Sequence, residues 1–359
     1  MLAIRSIICI SRKHERGRVI YTTVEHAAPA LASYLRDKRH ILLITHVIPD
    51  GDAIGSLMGL GRALDALGHA VTLLTPNAPP PFVANIPAAN RVQSFSQDPS
   101  LPADVDMVIL VDTGDVKRIA RVWEDARDYL LARPIAVIDH HVTNSGEGSV
   151  NYVDPSRSST CELIYELLRA WDVRITPDIA TALLFGITTD TQSFRTSNTT
   201  PSALRAAANL LEAGGDREQI VHDVYNNIAF STARLMGHAL LALRDDGPIV
   251  WTHVTLAVQA ACGAHDDAAA EVTDYLSSLG GYLVSVLFKE RSGGIIRVSL
   301  RSQPSVDVSA VAQQFGGGGH RQAAGCTLSA SLSEAEERVL AAVRAAVGLP
   351  AGSSNPEVA

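Results

Sequence analysis

Four short acidic stretches, two of them carrying histidine, concentrate the reactive side chains of this sequence. They read His46-Val47-Ile48-Pro49-Asp50-Gly51-Asp52, Asp112-Thr113-Gly114-Asp115, Asp139-His140-His141 and Thr188-Thr189-Asp190-Thr191. A single Asp after a strand commonly caps a helix or closes a turn. Four such clusters are different, because carboxylates gathered without counter-charge repel one another and are costly to bury. Divalent cations resolve that conflict. Carboxylate and imidazole ligands without thiolate suit manganese first, with magnesium or cobalt as alternatives, and not structural zinc. Two such ions ~3.5–4 Å apart can hold a water between them, lower its pKa and stabilise both oxygens of an in-line displacement at phosphorus. No Gly-x-x-x-x-Gly-Lys-[Ser/Thr] phosphate loop and no Ser or Cys nucleophile elbow occurs. The expected chemistry is therefore hydrolysis without ATP and without a covalent intermediate.

The elements that must position these residues alternate along the first two thirds of the chain. Strands are expected at Ile41–Ile44, Ala70–Thr75, Met107–Val111 and Ile135–Ile138. Helices are expected after Ile54 up to Gly68, and over Cys161–Trp171, Asp178–Gly186 and Ser202–Ala213. Continuous apolar strands alternating with helices imply an α/β fold with a parallel sheet covered on both faces. In such a sheet the carboxyl ends of the strands line the ligand crevice, and three of the four clusters follow strands directly. The stretch Gln219 to Arg244 reads as helix. Beyond Gly247-Pro248 a second pattern begins, with strands over Ile249–Ala257, Leu283–Phe288 and Ile295–Leu300 and helices over Ala268–Leu279, Val308–Phe315 and Leu332–Val347. The lobe boundary is placed at residues 230–247.

Composition narrows the partners. The 359 residues are 47% hydrophobic and 19% charged, enough for two buried cores. The net charge of −8 has the wrong sign for coating long duplex nucleic acid. No apolar run reaches the ~18–20 residues of a membrane span. Cys9, Cys161, Cys262 and Cys326 are isolated and read as reduced thiols of a cytoplasmic protein. Residues Met1 to Ile10 are mildly apolar but lack a cleavage site, so residues 1–37 read as an N-terminal extension and 348–359 as a frayed tail.

The order His-x-x-x-Asp-x-Asp, Asp-x-Gly, Asp-His-His, Thr-Asp-Thr resembles the DHH phosphoesterase superfamily. Downstream, Gly316-Gly317-Gly318-Gly319-His320-Arg321-Gln322-Ala323-Ala324-Gly325 is similar to the signature of the DHH-associated C-terminal domain. The resemblance implies a DHH catalytic domain over 38–229, a helical linker over 230–247 and a smaller α/β substrate-binding domain over 248–347, with the active site in the cleft between them. It assigns one metal ion to His46, Asp50 and Asp112, and another to Asp52, Asp112, His140 and Asp190. Asp139 would orient its neighbouring ligand, and His141 would face the scissile phosphate as hydrogen-bond donor or general acid. In the second lobe, Gly317, Gly318, Gly319 and His320 form the expected ligand loop, with Arg301 and Ser302 as phosphate or ribose contacts. Arg118 and Arg195 follow metal clusters closely, and phosphate contact and ordinary surface roles are both open for them.

The two-lobed size resembles the nanoRNase (NrnA-type) group, implying hydrolysis of short oligoribonucleotides and dephosphorylation of 3′-phosphoadenosine 5′-phosphate (pAp). A phosphodiesterase for cyclic di-AMP or its linear dinucleotide is the alternative. A RecJ-like exonuclease, an inorganic pyrophosphatase and a non-enzymatic RNA-binding module fit less well, since basic or aromatic binding surface is sparse. The resemblance also suggests a homodimer.

Overall fold

The computed structural model describes residues 13–14, 18–80 and 83–350. It divides into two compact units, the first ending at Asn227 and the second beginning at Ile228.

The first unit is built on β1 (Lys13–His14), β2 (Arg18–Tyr21), β3 (His40–Ile44), β4 (Ala70–Thr75), β5 (Val92–Ser94), β6 (Met107–Val111), β7 (Ile135–Asp139) and β8 (Val150–Val153). They form one sheet in the order β1-β2-β8-β7-β6-β3-β4-β5. All run parallel except β1, which pairs antiparallel with β2. The helices are α1 (Val24–Leu35), α2 (Gly51–Ala66), α3 (Arg121–Asp125), α4 (Arg127–Leu131), α5 (Thr160–Ala170), α6 (Pro177–Asp190), α7 (Pro201–Glu212) and α8 (Arg217–Tyr225). The central strands are aliphatic throughout because both faces are covered. Ile41 and Leu43 join the core built with α1, α2, α5 and α6, whereas Leu42 and Ile44 join the opposite one with Val116, Ile119 and Val122.

The second unit contains α9 (Phe230–Leu241), β9 (Arg244–Asp246), β10 (Ile249–Val254), α10 (Leu256–Cys262), α11 (Ala269–Ser277), β11 (Val284–Arg291), β12 (Ile295–Ser302), α12 (Val308–Gln313), β13 (Gly318–His320), β14 (Ala323–Ser329) and α13 (Leu332–Ala346). Its mixed sheet has the order β13-β14-β12-β11-β10-β9. Residues from α12 and α13 pack against Val286, Val298 and Cys326 on one face. On the other face Leu235, Val272 and Leu276 cover Val254 and Leu287. On that face α11 reaches β12 as well, with Leu276 beside Arg301, while Arg297 is exposed and Gly318 of β13 has open space.

Several elements differ from the sequence reading. Within residues 1–37, β2 adds to β8 in parallel register and α1 buries Leu31 and Leu35 in the core. The described part of this segment thus supplies an edge strand and a helix of the first unit. The stretch Gln219 to Arg244 is two helices separated at Asn226–Ala229, and α9 places Leu235 and Ala239 inside the second unit's core. The strand expected to reach Ala257 ends at Val254, because the Thr255 hydroxyl accepts from Val258 N and starts α10. Met1 to Ile10, Cys9 and the tail beyond Pro350 lie outside the described residues. Among the described residues, no helix is long and apolar enough to cross a membrane.

Candidate metal centre

The centre is assembled first by helix packing. Gly51, Gly55 and Gly59 fall on one face of α2 at fourfold spacing, and that face meets α6. A Cβ at Gly51 would overlap the Thr189 side chain, and one at Gly55 would lie 2.5 Å from the Ala182 carbonyl. Gly186 on α6 answers in kind, since a Cβ there would overlap Cys161 Sγ and stand 2.8 Å from Asp52 Oδ1. The two helices therefore approach more closely than side chains would permit. That approach brings the first turn of α2, with Asp52, to the last turn of α6, with Asp190.

Caps and backbone amides then aim the carboxylates. Asp50 caps α2, its Oδ1 accepting from Ala53 N at 3.0 Å while Oδ2 faces His46. Asp52 accepts from Thr160 N at 2.7 Å and Cys161 N at 2.9 Å, the first amides of α5, where the helix dipole favours an anion. The Thr160 hydroxyl donates to Asp112 Oδ1 at 2.9 Å. Asp112 follows β6 with φ +56°, a left-handed conformation that Asp tolerates better than most residues and that redirects its carboxylate.

Two ligand sets result, both touching Asp112, and a third grouping of Asp112, His140 and His141 overlaps them, with His141 Nδ1 3.5 Å from Asp112 Oδ1. His46 donates Nδ1–H to the Val47 carbonyl at 2.8 Å, which leaves Nε2 3.8 Å from Asp50 Oδ2 and 3.6 Å from Asp112 Oδ2. His140 Nε2 lies 4.0 Å from Asp52 Oδ2, 3.6 Å from Asp112 Oδ1 and 3.8 Å from Asp190 Oδ2. These separations are too long for hydrogen bonds. They suit ligand atoms sharing an ion at ~2–2.2 Å from each. Within the His46–Asp50–Asp112 set and within the Asp52–His140–Asp190 set, the candidate atoms lie inside 4.8 Å of one another.

The electrostatics fit a cation. Burial, and then the charges of Asp112, Asp190 and Asp50, push the Asp52 carboxyl well above its ordinary range. Burial, with Asp112 and Asp50 nearby, lifts Asp190 to about 6 despite the opposing effect of His140. Burial disfavours a charged His46, yet the facing carboxylates of Asp112 and Asp50 raise its pKa to about 10. Such crowding is what bound divalent ions reverse.

Asp139 behaves differently from expectation. Its carboxylate does not engage His140; it accepts from His141 N at 3.0 Å and His141 Nδ1 at 2.8 Å, from Gly114 N at 2.5 Å and from Asn144 Nδ2 at 2.5 Å. Burial opposes the Asp139 charge, but these bonds outweigh it and hold its pKa below the ordinary value. The histidine it holds is His141, through the backbone N and Nδ1.

In the second unit, Arg297, Ser299 and Arg301 alternate with buried Ile296, Val298 and Leu300. Register places Arg301 beside Ala323 and Gly318 beside Gly325. Gly317 and Gly319 are pressed onto β14: a Cβ at Gly317 would overlap the Gly325 carbonyl, and one at Gly319, with φ +143°, would lie 2.5 Å from the Ala323 carbonyl. Gly318 has open space instead. Ser302, the last residue of β12, donates its hydroxyl to the Val306 carbonyl at 2.9 Å and closes a turn, and it lines one cavity with Arg301, Leu276 and Tyr282. The His320 side chain lies outside the described residues.

Sequence reasoning missed the groups that hold the ligands: Thr160 and the amide of Cys161, Asn144, and Asn198, whose Nδ2 donates to Asp190 Oδ2 at 3.3 Å. Ser158-Ser159-Thr160 before an apolar helical run was a readable cap signal, but its carboxylate partners lie 48 and more residues away in sequence.

Comparison with known proteins agrees with this arrangement. The DHH family N-terminal domain matches residues 40–187, and the DHHA1 domain matches residues 253–348. The chain belongs to the DHH family. It is 37% identical over 312 residues to the bifunctional oligoribonuclease and PAP phosphatase NrnA of Thermus thermophilus, covering 85% of this chain and 89% of that protein. It is 28% identical over 355 residues to the cyclic-di-AMP phosphodiesterase GdpP of Geobacillus thermodenitrificans, covering 92% of this chain but 50% of that longer protein. Among solved structures, an exopolyphosphatase-related protein from Bacteroides fragilis superposes with a TM-score of 0.82 at 25% identity, covering 89% of this chain and 96% of that one.

Proposed function

We propose that the protein is a manganese-dependent phosphoesterase that hydrolyses short oligoribonucleotides to mononucleotides and removes the 3′ phosphate of pAp. The observation that carries this reading is the pair of ligand sets meeting at Asp112. His46, Asp50 and Asp112 would hold one ion, and Asp52, Asp112, His140 and Asp190 the other. Divalent ions held there would supply a water nucleophile near neutral pH and the positive charge that this acidic chain lacks, with magnesium or cobalt as substitutes for manganese.

The chain's own residues do the rest. Asp139 anchors His141 through Nδ1, so Nε2 is presented as donor to the phosphate or to the leaving oxygen. Burial disfavours protonated His141, but the Asp139 hydrogen bond and the Asp112 charge raise its pKa, the direction a general acid needs. The α5 amides and the Thr160 hydroxyl hold Asp52 and Asp112 in place while charge develops. In the second unit, Arg301 and the exposed backbone at Gly318 would bind the nucleotide, with His320 as a further contact. The similarity to NrnA proteins supports short RNA and pAp as substrates, and the family resemblance supports a cytoplasmic homodimer.

The test is a side-by-side rate comparison with manganese on pAp, a 5′-labelled dinucleotide, cyclic di-AMP and a 12-mer RNA. Fastest turnover of pAp and the dinucleotide is the expected result. Preference for cyclic di-AMP would move the assignment to the cyclic dinucleotide phosphodiesterases, and inactivity on all four would refute it.

A further inference from the structure

The loop after Asp112 contains a feature that neither ligand set uses. Gly114 has φ +64°, and a Cβ there would lie 3.4 Å from Arg118 Nη1, 3.5 Å from His141 Cγ and 3.5 Å from Thr143 Oγ1. A guanidinium, an imidazole and a hydroxyl thus gather beside Gly114, each at ordinary van der Waals distance from where a methyl would sit. Among the described residues, the Arg118 guanidinium and the Thr143 hydroxyl have no hydrogen-bond or ion-pair partner. The nearby acids are occupied elsewhere: Asp115 takes Lys117 N at 2.7 Å and Glu147 takes Val116 N at 2.9 Å. An arginine in so acidic a neighbourhood would ordinarily find a carboxylate. Here the geometry keeps it unpaired.

This grouping is also rigidly placed. Asp139 accepts from Gly114 N at 2.5 Å and from the backbone N and Nδ1 of His141, fixing Gly114 and His141 with one carboxylate. The Arg118 carbonyl accepts from Val47 N at 2.7 Å, tying the arginine's backbone to the loop that carries His46. A partnerless planar guanidinium and a hydroxyl donor make a matched pair for a phosphate oxygen.

We propose that Arg118 and Thr143 grip a non-bridging oxygen of the phosphate under attack, beside His141. This makes Arg118 a catalytic residue, and it rests on the reading of the centre as a phosphoesterase. A fixed cation at that position acts where negative charge grows on the phosphoryl group, so its effect falls on kcat as well as on phosphate affinity.

The experiment titrates inorganic phosphate into manganese-loaded protein by calorimetry and measures pAp and dinucleotide turnover on the same samples. Arg118→Gln is expected to weaken phosphate binding by about tenfold or more and to lower kcat by roughly 10²–10³, with manganese affinity unchanged. Arg118→Lys recovers part of the affinity but little of the rate, and Thr143→Val costs roughly three- to tenfold. Unchanged phosphate affinity and kcat in Arg118→Gln would overturn the proposal, as would a loss of manganese binding, which would make Arg118 structural. Wild-type protein that binds phosphate through Arg118 yet hydrolyses neither substrate would instead refute the substrate assignment and leave the oxygen site standing.

Discussion

The two units secure their candidate functional groups in opposite ways. In the first, His46, Asp52 and Asp112 are buried, and nearly every ligand is held by a cap, an amide or a hydroxyl from another element. In the second, Arg301 is half-buried beside α11 and Gly318 has open space, and the side-chain hydrogen bond of Arg301 is to its own neighbour's carbonyl. The difference follows from the task. Ligands for a cation pair must hold position against mutual repulsion, which takes many restraints. A surface that admits and releases nucleotides gains from access, and a few anchors suffice. Substitutions in the first unit should therefore strike turnover, and those in the second substrate capture.

Asp112→Asn presents the strongest challenge to that division. Asparagine tolerates the left-handed backbone at this position, so the variant should fold. It loses the charge facing both His46 and His140, and turnover of pAp and dinucleotide should fall by roughly 10³-fold or more. Activity within tenfold of wild type would show that Asp112 is not common to two ion sites. Asp139→Asn tests the surrounding support: with His141, Gly114 and Asn144 less firmly held, turnover should drop by about 10–100-fold. An unchanged rate would mean that His141 needs no such anchor.

The same contrast governs what could be read from the sequence. Strand ends carrying Asp and His were legible because aliphatic runs such as Met107–Val111 break abruptly into Asp112. The ligand residues were legible because their spacing is local, as in His46, Asp50 and Asp52. The supports were not, since the bond from Cys161 N to Asp52 spans 109 residues and no local pattern encodes it. Likewise β2 is a four-residue edge strand whose place is set only by its register with β8. The turn closed by Ser302 was equally illegible, since its hydroxyl donates to a carbonyl four residues on that no local motif marks.

Helix packing offers a test in stability instead of rate. Gly55→Ala would drive a methyl to 2.5 Å from the Ala182 carbonyl, where backbone cannot yield cheaply. A loss of ~1–3 kcal/mol is expected by denaturant melting. An unperturbed midpoint would mean that α2 and α6 can separate without consequence. In the second unit, Arg301→Ala should raise KM about tenfold, equivalent to ~1.4 kcal/mol of binding, with kcat nearly unchanged. A kcat loss larger than the KM change would place Arg301 at the chemistry and erase the division between the units.

Gly318→Ala carries the smallest effect and separates the roles of neighbouring glycines. Gly317 and Gly319 abut β14, so alanine at either would force the loop off the sheet. A Cβ at Gly318 meets nothing within 4 Å, so stability should change by less than ~0.5 kcal/mol. If that opening exists for a nucleotide to approach the backbone, the methyl should raise KM severalfold while the melting midpoint stays fixed. A changed midpoint would make Gly318 a packing residue like its neighbours. An unchanged KM would mean that the exposed backbone at Gly318 is not where substrate lies, and that Arg301 holds it from one side only.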